Sequence, residues 1–359
     1  MFCGALLFVA GCATAPNGSP PPNWSANNEV QKPHLPHAPK ALAPVVRTNL
    51  PAARTNLPTT NGVPPAPVTT WTSLNRWAAE QKISAPHRVN DGPMAAYAIG
   101  SSNGVMVLEI GSQTAFWGGV EIHLGFDPQL IDNQVFVYGP DLQKNLEPLL
   151  CGSPLKFGSN RTIVIDPGHG GGNTGAKSVL DGRLEKEFTL DWAKRLRPLL
   201  ETNGWKVFLT RTSDVYVTNS DRVVFAEARH ADLFVSLHFN SAAPDTKQAG
   251  LETYCLTPTG MPSTLTRGYT DFWSENFPNN AFDAENLQLA VRLQTALLDA
   301  TSLEDRGVRR ARFIDVLHGQ RRPAVLIEGG YLSNPHEAAL IETPEFRQKL
   351  AEAVAYALK

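Results

Sequence analysis

Long apolar runs are missing from this 359-residue chain. No stretch reaches the roughly 18 residues that a helix needs to cross a bilayer, which excludes a helical integral membrane protein. Cysteine is scarce. The 4 residues, at positions 3, 12, 151 and 255, are too few and too scattered for a disulfide framework or a structural zinc cluster. No charge of either sign dominates: 32 Lys plus Arg stand against 34 Asp plus Glu. The broad basic footprint of a nucleic-acid binder is therefore lacking, and no DNA or RNA partner is expected. Apolar residues, by contrast, make up 42%, enough for an ordinary core and incompatible with wholesale disorder. At about 150 residues per domain, the length holds one or two domains and something else besides.

The extra material lies at the start. Residues 2–11 form a short apolar stretch that ends in small residues just before Cys12, as the core of an export signal does. The run Val9-Ala10-Gly11-Cys12 resembles a bacterial lipobox, which implies cleavage before Cys12 and a diacylglyceryl group on its thiol. Residues 1–12 are thus expected to be a lipoprotein-type signal that anchors the chain to a membrane. Residues 13–70 hold 13 of the 28 prolines and one aromatic, Trp24, and cannot bury a core. A tandem repeat within them, Arg47 to Pro51 and Arg54 to Pro58, is too short for a solenoid. Proline content predicts a disordered but semi-rigid linker that holds the rest of the chain off the membrane.

Composition changes at Trp71. A short helix is predicted over 71–81, followed by β-rich runs at 105–110, 119–124 and 134–138 separated by Gly, Asn and Asp-Pro. Residues 71–150 therefore form a small β-rich module, in which His123 reads as structural because no ligand-spaced partner is near. The stretch 118–150 resembles the small β modules first named from copper amine oxidases. From 160 the rhythm becomes strand, helix, strand, helix. Strands are predicted at 162–165, 205–210, 231–237, 250–256, 311–317 and 324–327, and helices at 188–199, 220–229, 284–300 and from Thr343 to the end. That alternation predicts an α/β domain over 160–359: a mostly parallel twisted sheet flanked by helices on both faces.

Polar residues stand just past the ends of these strands, where open α/β sheets place their ligands. Asp166-Pro167-Gly168-His169-Gly170-Gly171-Gly172 follows the first strand, but it lacks the Gly-Lys-Ser/Thr ending of a phosphate loop. His238 ends the strand that starts near Asp232 and is expected on the same rim. Glu185 lies near the start of the first long helix. Glu328 follows the apolar Ala324 to Ile327, where a charge costs desolvation energy unless it is paired or functional. Two imidazoles and a carboxylate match the ligand set of a catalytic zinc, with a further carboxylate left over as a general base. Each residue alone has an ordinary structural reading; the set of four in one domain is what carries the signal.

Seven strings bear a more specific likeness. They are Ile165 to Gly171, Leu184 to Glu187, Thr210 to Asp214, Ala231 to His238, Gly250 to Tyr254, Arg306 to Val308 and Pro323 to Asn334. In that order they resemble the zinc-dependent N-acetylmuramoyl-L-alanine amidases of the type-3 family. The resemblance implies one Zn2+ held by His169, Glu185 and His238, with Glu328 as the catalytic carboxylate. The implied substrate is peptidoglycan, cut between N-acetylmuramic acid and the L-alanine of its stem peptide. The implied place is the cell envelope, on the periplasmic side of a bacterial membrane. Asn240 or Asn334 is expected to offer a hydrogen bond to the substrate, a loop cap being the other reading of either, and Arg309 and Arg310 read either as facing an acidic stem peptide or as a solvated charge run.

Residues 257–285 make a long insert that carries Phe272, Trp273, Phe277 and Phe282 among Pro, Asn and Gly, read either as a flap that contacts glycan or as surface packing. In some relatives a helix blocks the metal until a partner removes it. The connection from Gly170 to Leu184 is too short for that helix, so no such plug is expected, and a protein activator is left open. Two other readings of the same residues stay open at this point. One is a zinc peptidase acting on wall peptides, and the other is a non-catalytic wall tether.

Overall fold

The computed structural model describes residues 70–90, 94–157 and 161–359. Cys12, the expected signal and the proline-rich stretch up to 69 lie outside the described residues. The first part comprises β1 (Trp71–Ser73), α1 (Leu74–Gln81), β2 (His87–Arg88), β3 (Ala96–Ser101), β4 (Gly104–Glu109), β5 (Thr114–Trp117), β6 (Val120–His123), β7 (Gln129–Ile131) and β8 (Gln134–Tyr138). A continuous helical stretch follows: α2 (Gly139–Asp141), a π-helical turn (Leu142–Leu146) and α3 (Glu147–Leu150). Alternation governs this part, as expected for antiparallel strands with one covered face. Met106 and Leu108 are buried while Val105 is exposed, and Val135 and Val137 are buried while Gln134 is exposed.

The second part comprises β9 (Thr162–Pro167), α4 (Glu185–Thr202), β10 (Lys206–Leu209), α5 (Asn219–Ala228), β11 (Leu233–Asn240), β12 (Leu251–Cys255), α6 (Asp283–Thr301), β13 (Asp305–Arg310), α7 (Asp315–His318), β14 (Ala324–Tyr331), α8 (Pro335–Ile341) and α9 (Pro344–Ala357). β10 to β9, β9 to β11, β11 to β14 and β12 to β13 pair in parallel; β14 to β12 is antiparallel. Successive side chains of these strands go to opposite faces, and both faces are covered. Ile163, Ile165, Val235, Leu237 and Ile327 pack with Phe188, Trp192 and Leu196 of α4 and Leu350 and Val354 of α9. Val164, Phe234 and Leu326 pack on the other side with Ala226 of α5 and Val316 and Leu317 of α7.

One expected strand moves. Residues 311–317 are not a strand; the strand is Asp305–Arg310, and a helical turn follows at Asp315–His318. The polar run Asp305-Arg306-Gly307-Val308-Arg309-Arg310 hides its extended character because its charges are satisfied inside the protein. Ala311, Ile314, Val316 and Leu317 supply their apolar surface to the second core instead.

The sheet does not stop at the edge of the second part. Its order is β10-β9-β11-β14-β12-β13-β6-β5-β4-β3-β2, eleven strands across both parts, with β1, β8 and β7 forming a separate sheet. Val308 of β13 registers with Ile122 of β6, and Asp305 accepts the Glu121 N–H at 2.7 Å. Arg310, which the sequence placed beside the stem peptide, is buried at this junction and donates to the Lys144 carbonyl at 2.9 Å. His123 is structural as expected, with its ring on Glu121 and the Arg306 carbonyl. Cys151 and Cys255 are both free.

Candidate active site

β9 ends at Pro167, and the chain must then turn sharply to set His169 above the sheet. His169 takes a left-handed backbone, with φ of 62°. The turn is held by two arginines from elsewhere. Arg211 donates to the Pro167 and Gly168 carbonyls at 3.0 and 2.8 Å. Arg222 donates to the His169 carbonyl at 2.8 Å and pairs with the buried carboxylate of Asp166. Asp166 also accepts from Ser236 at 2.7 Å and Thr210 at 2.5 Å. A loop that sequence alone leaves floppy is thereby fixed from both sides.

Three donors converge there. His169 Nε2 and His238 Nδ1 each lie 2.9 Å from Glu185 Oε1, and the two ring nitrogens are 3.1 Å apart. Asn173 Oδ1 sits 2.9 Å from His169 Nδ1. As an acceptor it fixes the tautomer that leaves the Nε2 lone pair free. Glu185, the first residue of α4, has its other oxygen on the Ala176 N–H at 2.8 Å. Burial alone would push its carboxyl up, but the hydrogen bonds from the two histidines outweigh it and hold the group well below the usual range. Burial opposes the His169 proton in the same way, and Glu185 overcomes it, so that ring is raised.

The trio fits a zinc ion. Donors bound at about 2.1 Å with tetrahedral angles are about 3.4 Å apart, so these three need open by only a few tenths of an ångström. All the candidate donor atoms lie within 4.8 Å of one another. Space for them comes from glycine. A Cβ at Gly175 would come 2.5 Å from Glu185 Oε2 and 2.6 Å from His169 Cδ2. A cavity of about 130 Å³ opens beside the histidines, with Tyr216 and Val217 on its wall.

Glu328 is placed by register: β14 pairs it with His238 of β11 on one side and Glu252 of β12 on the other. Its side chain is buried, and Oε2 has no hydrogen-bond partner. Burial pushes its carboxyl well above the usual range, and the negative charge of Glu185 adds to this while Arg267 opposes it. Glu252, by contrast, is fully engaged. Its Oε1 accepts from Arg306 at 2.9 Å and Arg309 at 3.1 Å, and its Oε2 from Asn240 at 2.8 Å and the Tyr254 hydroxyl at 2.7 Å. Asn240 and Arg309, expected at the substrate, thus both hold Glu252, the cross-strand neighbour of Glu328. Asn173, Arg211, Arg222, Glu252 and Arg267 are the site residues that sequence reasoning did not find a role for. Arg211 and Glu252 stand inside strings that carry the family likeness and Asn173 lies four residues past His169, whereas Arg222 and Arg267 carried no signal of their own.

The insert is tethered at several points. Fully buried Arg312 donates to Asp271 at 2.5 Å and to the Pro258 and Met261 carbonyls at 2.7 and 2.8 Å. Phe277 stacks on His318 with ring centroids 3.9 Å apart. Trp273 meets Phe126 edge-on, while Phe272 is more than half exposed. The connection from 170 to 184 contains turns and isolated bridges and no helix.

Converging donors and a protonatable carboxyl, set at the carboxyl ends of parallel strands, define a hydrolase site suited to activating water. The comparisons with known proteins agree. The model of the Amidase_3 family, described as N-acetylmuramoyl-L-alanine amidase, matches residues 163–359. The chain is 32% identical over 221 residues to the N-acetylmuramoyl-L-alanine amidase AmiA of Salmonella typhimurium, covering 56% of this chain and 75% of that one. It is 30% identical over 284 residues to the probable cell wall amidase LytH of Staphylococcus epidermidis, covering 77% and 82%. Among solved structures, an N-acetylmuramoyl-L-alanine amidase from Clostridium difficile 630 gives a TM-score of 0.46 at 30% identity, over 55% of this chain and 95% of that one. The chain belongs to the N-acetylmuramoyl-L-alanine amidase family. It is a peptidoglycan hydrolase that cuts the amide between N-acetylmuramic acid and L-alanine, and its family places it in the cell envelope.

Proposed function

We propose that His169, Glu185 and His238 hold a single zinc ion and that Glu328 moves the proton in the amidase reaction. The convergence of the three donors, each oriented by a second hydrogen bond or by the backbone, carries this reading. Zinc, when bound, supplies Lewis acidity that polarises a carbonyl and brings water into the range where it ionises near neutral pH. Glu328 then takes the proton from the attacking water on its unpartnered Oε2 and returns it to the departing alanine nitrogen. A carboxyl raised by burial suits both duties, since a group that accepts and releases a proton works best near the operating pH. Glu252 engages Arg306 and Arg309, so that Glu328 Oε2 stays without an arginine partner, and Arg211 and Arg222 keep His169 at its station.

The test uses the full chain on purified peptidoglycan, with products identified by mass. Chelation is expected to abolish release of stem peptides that begin at L-alanine, and added zinc to restore it. Glu328→Gln should retain metal and lose about 10²- to 10⁴-fold in kcat. Undiminished cleavage in a metal-free sample would overturn the assignment, and cuts within the peptide would point to a peptidase.

The lipid anchor belongs to the same proposal. With Cys12 acylated and residues 13–70 as spacer, the enzyme would work on the wall from the periplasmic face of a membrane. Cys12→Ala should shift the protein from the detergent phase to the aqueous phase; equal partitioning of the two forms would rule the anchor out.

A further inference from the structure

The insert between β12 and α6 brings a cation to the neighbourhood of Glu328. Arg267, with a left-handed φ of 47°, lays its guanidinium over the rings of Tyr254 and Phe313 at 5.7 and 5.4 Å. Its Nη2 donates to Asn240 at 3.0 Å and to the Tyr254 hydroxyl at 3.2 Å. Among the described residues it makes no other hydrogen bond, so Nε and Nη1 are free, and the side chain is 39% exposed. The segment that carries it is pinned by Arg312 to Asp271, so the cation is presented from a fixed support.

Charge around it is unbalanced. Arg267, Arg306 and Arg309 approach Glu252 at 3.8, 2.9 and 3.1 Å, three guanidiniums on one buried carboxylate. The remaining carboxyl of the cluster, Glu328, is committed to the reaction. Glu121 shares the charges of Arg306 and Arg309, which leaves Arg267, part exposed and beside Glu328, as the cation open to a ligand. Planar guanidiniums with free N–H groups, backed by aromatic faces and partly desolvated, select carboxylates that can accept two hydrogen bonds. The substrate offers that chemistry on one side of the scissile amide only, in its acidic stem peptide.

Resting on the amidase reading above, we propose that Arg267 is a specificity residue that captures a carboxylate of the stem peptide, with Arg306 and Arg309 as the charged wall behind it. Arg267 binds the departing half of the substrate, so it orients the alanine nitrogen toward Glu328 without touching the metal trio.

Two muropeptides test this. They differ only in the residue after L-alanine, which carries a free carboxylate in one and a carboxamide in the other. The full chain is expected to prefer the free acid by about tenfold or more in kcat/KM, the scale of one charge-assisted bidentate contact. In Arg267→Met that preference should collapse toward unity, with the loss on the acid substrate carried by KM. Arg267→Lys keeps a cation and should retain an intermediate preference, which separates lost recognition from lost folding. No preference in the wild type, or a parallel loss on both substrates in Arg267→Met, would overturn the proposal while leaving the amidase reading intact. Failure of the wild type to cut either substrate at L-alanine would overturn both.

Discussion

The backbone of Gly168 leaves no room for a side chain beside the ring of His238, and this yields a sharp prediction. A Cβ built at Gly168 would lie 2.2 Å from His238 Cε1, 2.3 Å from Nε2 and 2.7 Å from Nδ1, against ordinary contacts of 3.4–4 Å. Gly168 itself does not have a positive φ, so Gly168→Ala carries a steric penalty on the histidine rather than backbone strain. To clear the methyl, the ring must retreat by about 1.2 Å, taking Nδ1 away from Glu185 and His169. A displacement of about 1 Å at a reacting centre costs about 10²-fold in rate. Overpacking should cost about 1–3 kcal/mol of stability, too little to unfold the domain. Gly172, where a Cβ meets nothing within 4 Å, is the control. The assay pairs zinc affinity by chelator competition with stem-peptide release. Gly168→Ala should weaken both, and Gly172→Ala should leave both near wild type. Wild-type zinc affinity in a folded Gly168→Ala protein would refute the steric reasoning.

Other expectations follow from the same geometry. Arg222→Met leaves Asp166, 1% exposed in its side chain, as an unpaired buried carboxylate and should cost about 3–5 kcal/mol; a urea midpoint unchanged from wild type would contradict this. Asn173→Ala removes the acceptor on His169 Nδ1 and should weaken zinc binding by about 10- to 100-fold, read by the same chelator competition. Asp141 is pushed up to about 6 by burial, against which hydrogen bonds from Gly125, Asn145 and Phe126 act only in part. A carboxyl raised on folding holds its proton where the unfolded chain has lost it, so stability should fall as pH rises from about 4 to about 6 and then level off. Integrated over that window the effect is about 3 kcal/mol. The stabilities of wild type and Asp141→Asn, followed by melting across pH 4–7, should diverge by about this amount over the window, and parallel pH dependences would exclude it.

His169, Glu185, His238 and Glu328 were legible because each follows a pattern local to a few residues: a glycine turn after an apolar strand, a helix start, a strand end. The two-faced sheet was legible too, since buried parallel strands read as short continuous apolar runs. What was illegible depends on partners distant in sequence. Arg222 and Asp166 are 56 positions apart, and nothing near either shows that one neutralises the other. The strand Asp305–Arg310 escaped notice because its arginines look solvated until Glu252 and Lys144 are brought beside them. Arg267 sits in a segment without periodicity, where neither helical nor strand spacing can say which way a side chain goes.

The seam between β6 and β13 means that the catalytic half is not a detachable part. β13 sets Arg306 and Arg309 against Glu252 along one flank and pairs with β6 along the other. A fragment begun at residue 161 would leave that flank as a raw margin, open to pairing with another chain. It would also strip Arg310 of Lys144 and Asn145, its acceptors, and set a buried cation adrift next to Arg309, which holds Glu252. Residues 71–150 are thus best regarded as a splint for the active site, whatever else they bind.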